Sequence, residues 1–348
     1  MVGRVQLLRL SLMDMPRERS SRLAWPDIAK AISIILLVAW TIIGDRYHVN
    51  ESLILVRMPL FFCVSGLFAS RVITETTLSG FLRDKFANFL YLYALWETIL
   101  FFSRGGVAHL LWDKEVDPSG LLRMFWDPIF NIWFLYALAF AFLAAWLLRR
   151  VPAWIVLLAS VALYVASVSD GNWRGMTFYD RLVRLFPFFW LGLMARPLLG
   201  GLVERHYRLW PIVLGSFMLI AWFLIESPLN SIGVLTIAVS TVGVAGMLLL
   251  SRRIADWDAL AKPLTIVGAS TLYIYVTHKV FLFYMTHGLS AFGLKVPGRD
   301  FLLVAAIIPI SVVFGRWAAR QPELGWLFAA PWVRRRVPVR AAQPVPGE

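Results

Sequence analysis

Trp25-Pro-Asp-Ile-Ala-Lys-Ala-Ile-Ser-Ile-Ile-Leu-Leu-Val-Ala-Trp-Thr-Ile-Ile43 carries one acid and one base near its start, then thirteen residues with no charge. Ile, Leu, Val and Ala fill all sides of that run, so a helix here has no polar face to turn to water. About 17 apolar residues reach across the hydrocarbon core of a bilayer at 1.5 Å per residue. Runs of the same kind recur at about 28–44, 52–70, 86–103, 129–148, 152–168, 182–199, 209–225, 230–250, 264–286 and 301–319. The sequence therefore predicts an all-α chain, a polytopic membrane bundle of about ten transmembrane helices. The connections are short; the longest, about 104–128, is too small for a separate domain.

Composition agrees. Of 348 residues 59% are hydrophobic and 16% charged, against roughly 45–50% and 25% in soluble domains. The 25 Phe, 16 Trp and 10 Tyr supply rings that settle at membrane interfaces. Disorder, collagen and coiled coil are excluded as the main architecture. Residues 1–22 read as a basic cytoplasmic tail with no small-residue cleavage site, 23–320 as the membrane domain, and 321–348 as a basic, Pro-rich cytoplasmic tail. The formal charge of +13 reads as a topology signal and as affinity for anionic lipid rather than for nucleic acid. With the N-terminus inside, cytoplasmic segments hold 21 Lys and Arg and outer loops eight. A multi-pass protein of the cell (inner or plasma) membrane with both termini cytoplasmic follows.

Cys63 is the single cysteine, so no intrachain disulfide or cysteine metal site can form. The five histidines are scattered without His-x-x-x-His spacing, and no metal site is expected. His109, His206 and His287 read as loop residues. No internal repeat is visible, which disfavours, among transporters, those built from inverted repeats.

Ionisable groups inside a bilayer cost about 2.5–3.5 kcal/mol each on insertion scales, so each needs a reason. Lys30 and Arg316 lie near cytoplasmic ends, where long side chains snorkel. Because helix direction alternates, Arg57, Glu97, Arg184, His278 and Lys279 all fall in the outer half, and Thr41 and Asp45 reach that level from the first helix. Five helices thus place polar groups at one depth, either around a cavity opening outward or as pairs that lock helices together. Lys30 and Thr41 are eleven residues apart, which returns to the same helix face about 16 Å along the axis. Asp27 reads as an N-terminal cap.

Five stretches resemble the membrane acyltransferase 3 family: Trp25 to Val38; Arg57-Met-Pro-Leu-Phe-Phe-Cys-Val-Ser-Gly66; and, more loosely but in order, Trp133-Phe-Leu, Phe186-Pro-Phe-Phe-Trp-Leu-Gly192 and Ser270-Thr-Leu-Tyr-Ile-Tyr-Val-Thr-His278. The resemblance covers about residues 22–320. It implies transfer of an acyl group, often acetyl or succinyl, from a cytoplasmic acyl-CoA co-substrate to an extracytoplasmic glycan, lipid or small molecule, with no bound cofactor. It also implies a basic residue on the first helix, here Lys30, followed by a histidine, here Thr41. The family's histidine before Met-Pro-Leu-Phe is Arg57 here. Its Arg-x-x-Arg before the third helix, a clamp for coenzyme phosphates, is Lys85-Phe-Ala-Asn88, with Arg83 nearby.

A threonine hydroxyl cannot take a proton near neutral pH, whereas imidazole can. The replacement base is then His278, or less directly His48. The candidate set is His278, Thr41 and Glu97 for the chemistry and Lys30, Arg57, Arg83, Lys85 and Arg184 for binding donor and substrate. A non-catalytic relative that kept the fold as a membrane binding or scaffold protein, and a small-solute transporter, are the alternatives.

The charge count makes a testable prediction. Reporter fusions after Arg253 and after Glu348 should read as cytoplasmic, and one near Pro118 as external. An external C-terminus would contradict the ten-helix alternation.

Overall fold

A computed structural model describes residues 24–44, 46–112, 119–126, 132–168, 177–291 and 298–334. Asp45, the N-terminal tail and residues 335–348 lie outside the described residues. The principal helices are α1 (Trp25–Ile43), α2 (Ile54–Glu75), α3 (Ala87–Trp112), α4 (Trp133–Leu148), α5 (Ala153–Val168), α6 (Phe178–Met194), α7 (Arg196–His206), α8 (Trp210–Leu224), α9 (Gly233–Ile254), α10 (Asp258–Ala269), α11 (Thr271–Ala291) and α12 (Arg299–Arg320). The described residues contain no strand.

The described residues of the ten expected stretches are largely helical, with breaks at Ala195, Ile232 and Ser270, and residues 129–131 lie outside the described residues. Among the described residues, six helical segments are long and apolar enough to cross a membrane by length and composition, and α10 with α11 would make a seventh. The helices α4 and α5 are apolar but shorter. Two expectations shift. The third span does not stop near 103, because α3 continues to Trp112. The stretch expected at 264–286 is not one straight helix: α10 and α11 meet at 78°. Two details fix α10 in this tilt. Its Gly268 lies so close to α1 that a Cβ there would stand 1.8 Å from the carbonyl oxygen of Asp27, and at Ser270 the backbone leaves helical geometry (φ −109°, ψ 13°) before α11 begins. His109, His206 and His287, expected in loops, are part of α3, the last residue of α7 and part of α11.

In lipid there is little hydrophobic gain from bringing helices together, so close packing has to do it. The pair α2 and α6 shows how. A Cβ on Gly66 would sit 2.0 Å from the carbonyl oxygen of Phe189, and one on Gly192 would sit 2.0 Å from that of Cys63. The two glycines come from two of the quoted motifs, Ser65-Gly66 and Leu191-Gly192. Their role is to let two backbones touch. Against this seam pack the buried rings of Phe62, Phe188 and Phe189; Phe142 of α4 meets Phe189 edge to face, with centroids 5.1 Å apart.

The first two helices run antiparallel, as two contacts at opposite ends show. Lys30 Nζ stands 3.6 Å from the centroid of the Phe68 ring, and the Arg57 guanidinium lies 4.7 Å from that of Trp40. The level of Arg57 is therefore that of Trp40 and Thr41. α11 packs against α1, α3 and α12, and this brings His278 into the same group of helices.

Gly66→Ala should separate α2 from α6 and lower stability by about 1–3 kcal/mol, the usual cost of overpacking. Gly200→Ala, where a Cβ meets nothing within 4 Å, is the neutral control. Thermal denaturation in detergent reads both; equal midpoints for the two variants would contradict the packing account.

Candidate functional site

The expected site residues separate into three groups. The first is carried by α1, α2, α3 and α11, of which α11 packs against α1 and α3, and α1 against α2. Arg57, Glu97 and His278 are all buried, at 3%, 0% and 1% exposure, and Thr41 is half-buried. Burial is cheap to achieve for the apolar residues around them and costly for these three, which belong inside the bundle rather than toward lipid.

His278 has the most defined geometry. Its Nδ1 donates to the carbonyl oxygens of Tyr275 at 2.7 Å and Ile274 at 3.1 Å. A carbonyl only accepts, so the proton sits on Nδ1. In the neutral ring Nε2 then carries a lone pair, and that atom is buried with no hydrogen-bond partner among the described residues. A buried neutral imidazole held in this tautomer presents an open acceptor nitrogen.

Tyr275, one turn earlier, was not among the expected site residues. Its hydroxyl accepts the backbone N–H of Phe134 at 3.1 Å, satisfying one of the donors that the first turn of α4 leaves unpaired. Its ring packs on Phe134, with centroids 5.3 Å apart. Phe134 in turn meets Phe61 at 4.5 Å and Phe62 at 5.2 Å. Three of the quoted motifs, those holding Phe61, Phe134 and Tyr275, thus meet in one aromatic layer beside His278. Glu97 of α3 is within electrostatic reach of the Tyr275 hydroxyl.

Thr41 spends its hydroxyl locally, donating to the carbonyl oxygen of Leu37 at 2.9 Å. That bond is available to any threonine on a helix and needs no partner from another element.

The second group is cytoplasmic in the orientation read from the charges. Lys30 pairs with Asp27 at 3.0 Å while lying over Phe68. This corrects the reading of Asp27 as a cap: the N-terminal position is Ala24, with no side-chain capping bond, and Asp27 lies inside the first turn, buried and facing Lys30. Arg83 and Lys85 sit on the π-helical turn Leu82–Phe86 that leads into α3. Arg83 contacts Asp84 at 3.3 Å. Asn88, which stands where the second arginine of the clamp would be, accepts from the backbone N–H of Ala330 at 2.8 Å. Trp332 Nε1 donates to the Arg83 carbonyl at 3.0 Å, and Trp96 Nε1 donates to that of Leu327 at 2.7 Å. The chain after α12 is therefore laid along the start of α3. Sequence spacing had no way to find this, since Asn88 and Ala330 are 242 residues apart.

The third group is Arg184 by itself. It lies on α6 and donates to the Ser167 hydroxyl at 3.2 Å and to the Ser167 carbonyl. These bonds tie α6 to α5. His48, the other candidate base, is held by Trp222 and Glu226 at the end of α8.

Comparison with known proteins joins the chemistry to a family. Residues 23–316 match the acyltransferase 3 family, described as "Acyltransferase domain". The chain is 22% identical over 204 residues, 54% of its length, to "Nodulation protein NolL" of Mesorhizobium japonicum. It spans about half of that relative, 52% of its length. No solved structure matches. The family match takes in α1 through most of α12 and every motif quoted above, and the chain belongs to the acyltransferase 3 family.

Proposed function

We propose that this protein is an integral membrane O-acyltransferase that moves an acyl group from a cytoplasmic acyl-CoA to a hydroxyl of an extracytoplasmic acceptor such as a glycan, with lipid and small molecules as further acceptor classes. The membrane is the cell's inner or plasma membrane, with both termini cytoplasmic. The observation that carries the reading, beside family membership, is His278: buried, one tautomer, its Nε2 lone pair open.

The acceptor O–H gives its proton to Nε2 of His278 while its oxygen attacks the thioester carbonyl carbon. The C–S bond then breaks, and the coenzyme thiolate takes up the proton. Lys30, Arg83 and Lys85 hold the anionic donor at the cytoplasmic side by charge. Lys30 and Thr41 lie on one face of α1 about 16 Å apart along the axis, and the thioester arm runs along that face toward the acceptor level. Arg57 and Glu97 line the acceptor level, and Arg184 supports it by holding α6 against α5.

Thr41 favours a second reading. Its hydroxyl is already committed to Leu37 and cannot act as a base, so the chain fits equally a relative that kept the fold as a membrane binding or scaffold protein and lost transfer. A transporter is the remaining alternative, and counterflow of a labelled solute would identify it.

Labelled acetyl-CoA supplied to the cytoplasmic face of proteoliposomes, with a glycan extract on the other side, tests the proposal. Transfer by the parent protein is expected, and His278→Ala should lower it by roughly 10²–10⁴-fold, the usual worth of a general base. Unchanged transfer in His278→Ala would remove the base assignment. No transfer by the parent, with recovery in Thr41→His, would establish the lapsed enzyme instead.

A further inference from the structure

We propose that the segment after α12, residues 321–334, is a clasp that presents the cations of the donor site, with Trp332 and Asn88 as its positioning residues. This role rests on the acyl-CoA reading of Arg83 and Lys85, and it names the part of the chain that holds them in place.

The clasp is a closed unit. α12 ends at Arg320. The chain then makes a 3₁₀ turn, Gly325–Leu327, and one helical turn, Pro331–Arg334. Arg334 closes the loop by donating to the carbonyl oxygens of Pro322 at 3.1 Å and Gln321 at 3.5 Å. Its guanidinium lies against Gly325, where any Cβ would collide with it. A loop whose ends meet in this way is a compact body.

Phe328 roots that body in the bundle. It is buried, and its ring packs with Tyr273 of α11, Trp96 of α3 and Phe314 of α12, with centroids 4.8, 5.9 and 6.4 Å away. The neighbouring carbonyl oxygens are satisfied by α3: that of Trp326 accepts from the Tyr91 hydroxyl at 3.2 Å and that of Leu327 from Trp96 Nε1 at 2.7 Å. Irregular backbone within a membrane bundle is stable when protein supplies such partners.

From this root the clasp reaches the π-helical turn Leu82–Phe86. In a π turn a backbone N–H bonds the carbonyl five residues back, as Ala87 N does to Leu82 O. Arg83 and Asn88 stand the same five residues apart, one step further along. The clasp grips both. Trp332 Nε1 donates to the Arg83 carbonyl at 3.0 Å, and Ala330 N donates to the Asn88 side-chain oxygen at 2.8 Å. The Trp332 ring also meets Tyr91 edge to face at 5.5 Å, which fixes the direction of the indole N–H.

The grip bears on charge. Arg83 is exposed and Lys85 half-buried, and the directions in which they leave the helix depend on the extra residue that the π turn accommodates. Relaxation to an α-helix would rotate the residues before the turn by about 100° around the axis, one residue's worth. Two bonds from outside the helix, one at each end of the π repeat, oppose that rotation and keep both cations where an anionic donor meets them.

Binding of coenzyme A itself, measured by calorimetry on the full chain in detergent, tests this without requiring turnover. Trp332→Phe keeps a ring and removes the N–H; Asn88→Ala removes the acceptor. Each should weaken binding by about 3–10-fold, the worth of one hydrogen bond. A positioning residue acts through the group it places, so in an Arg83→Gln background Trp332→Phe should weaken binding by less than about 2-fold. Amide hydrogen exchange gives a second reading that needs no ligand: residues 83–92 should exchange faster in Trp332→Phe. Trp154→Phe, at a 62% exposed ring on α5, should change neither binding nor exchange. Unchanged affinity in both variants, equal losses with and without Arg83, or unchanged exchange would overturn the clasp while leaving the donor reading intact. A parent protein that binds no coenzyme A would overturn the donor reading itself, and the proposal with it.

Discussion

Ionisable groups buried in a lipid-embedded bundle must be accommodated by protein, and this constraint governs the arrangement of α1, α2, α3 and α11. Arg57, Glu97 and His278 arrive from three different helices, and all are buried. Exposing any of them to hydrocarbon would cost several kcal/mol. The contacts seen are those of groups that have been taken in: Arg57 over the Trp40 ring and His278 bonded to its own helix. The same constraint therefore keeps these three ionisable groups inside the bundle, on helices that pack with α1 or α11.

Helix approach is the second determinant. Gly66 and Gly192 bring α2 and α6 to backbone contact, and Gly268 sets α10 across the start of α1. With α10 fixed in that position, α11 turns by 78° and carries His278 into the group of helices that includes α1 and α3. The seams made by small residues thus act on the site through the direction of a helix rather than through any contact with the reacting groups.

Much of the helix pattern was legible because a bilayer imposes long uncharged runs, and the described residues of the expected runs are largely helical. The buried charges were legible for the same reason: Arg57, Glu97, Arg184 and His278 stand out against apolar neighbours. What could not be read was partnership. Arg184 looks like its fellow charges in sequence, yet its bonds go to Ser167 on α5. Asp27 looks like a cap and pairs with Lys30. Asn88 looks like half of a lost clamp and anchors the chain after α12. Tyr275 was hidden among other aromatics, and its bond to Phe134 N depends on where α4 begins. The bend between α10 and α11 escaped notice because the break falls inside an apolar run with no proline at the joint.

The central claim is that His278 is a neutral base with its proton on Nδ1 and a bare Nε2. Nitrogen-15 NMR of histidine-labelled protein in lipid bilayers at neutral pH tests it directly, with His278 assigned by its loss in His278→Ala. The account predicts one protonated and one unprotonated ring nitrogen for this residue, with Nε2 the unprotonated one. Protonation of both nitrogens, or the opposite tautomer, would contradict it.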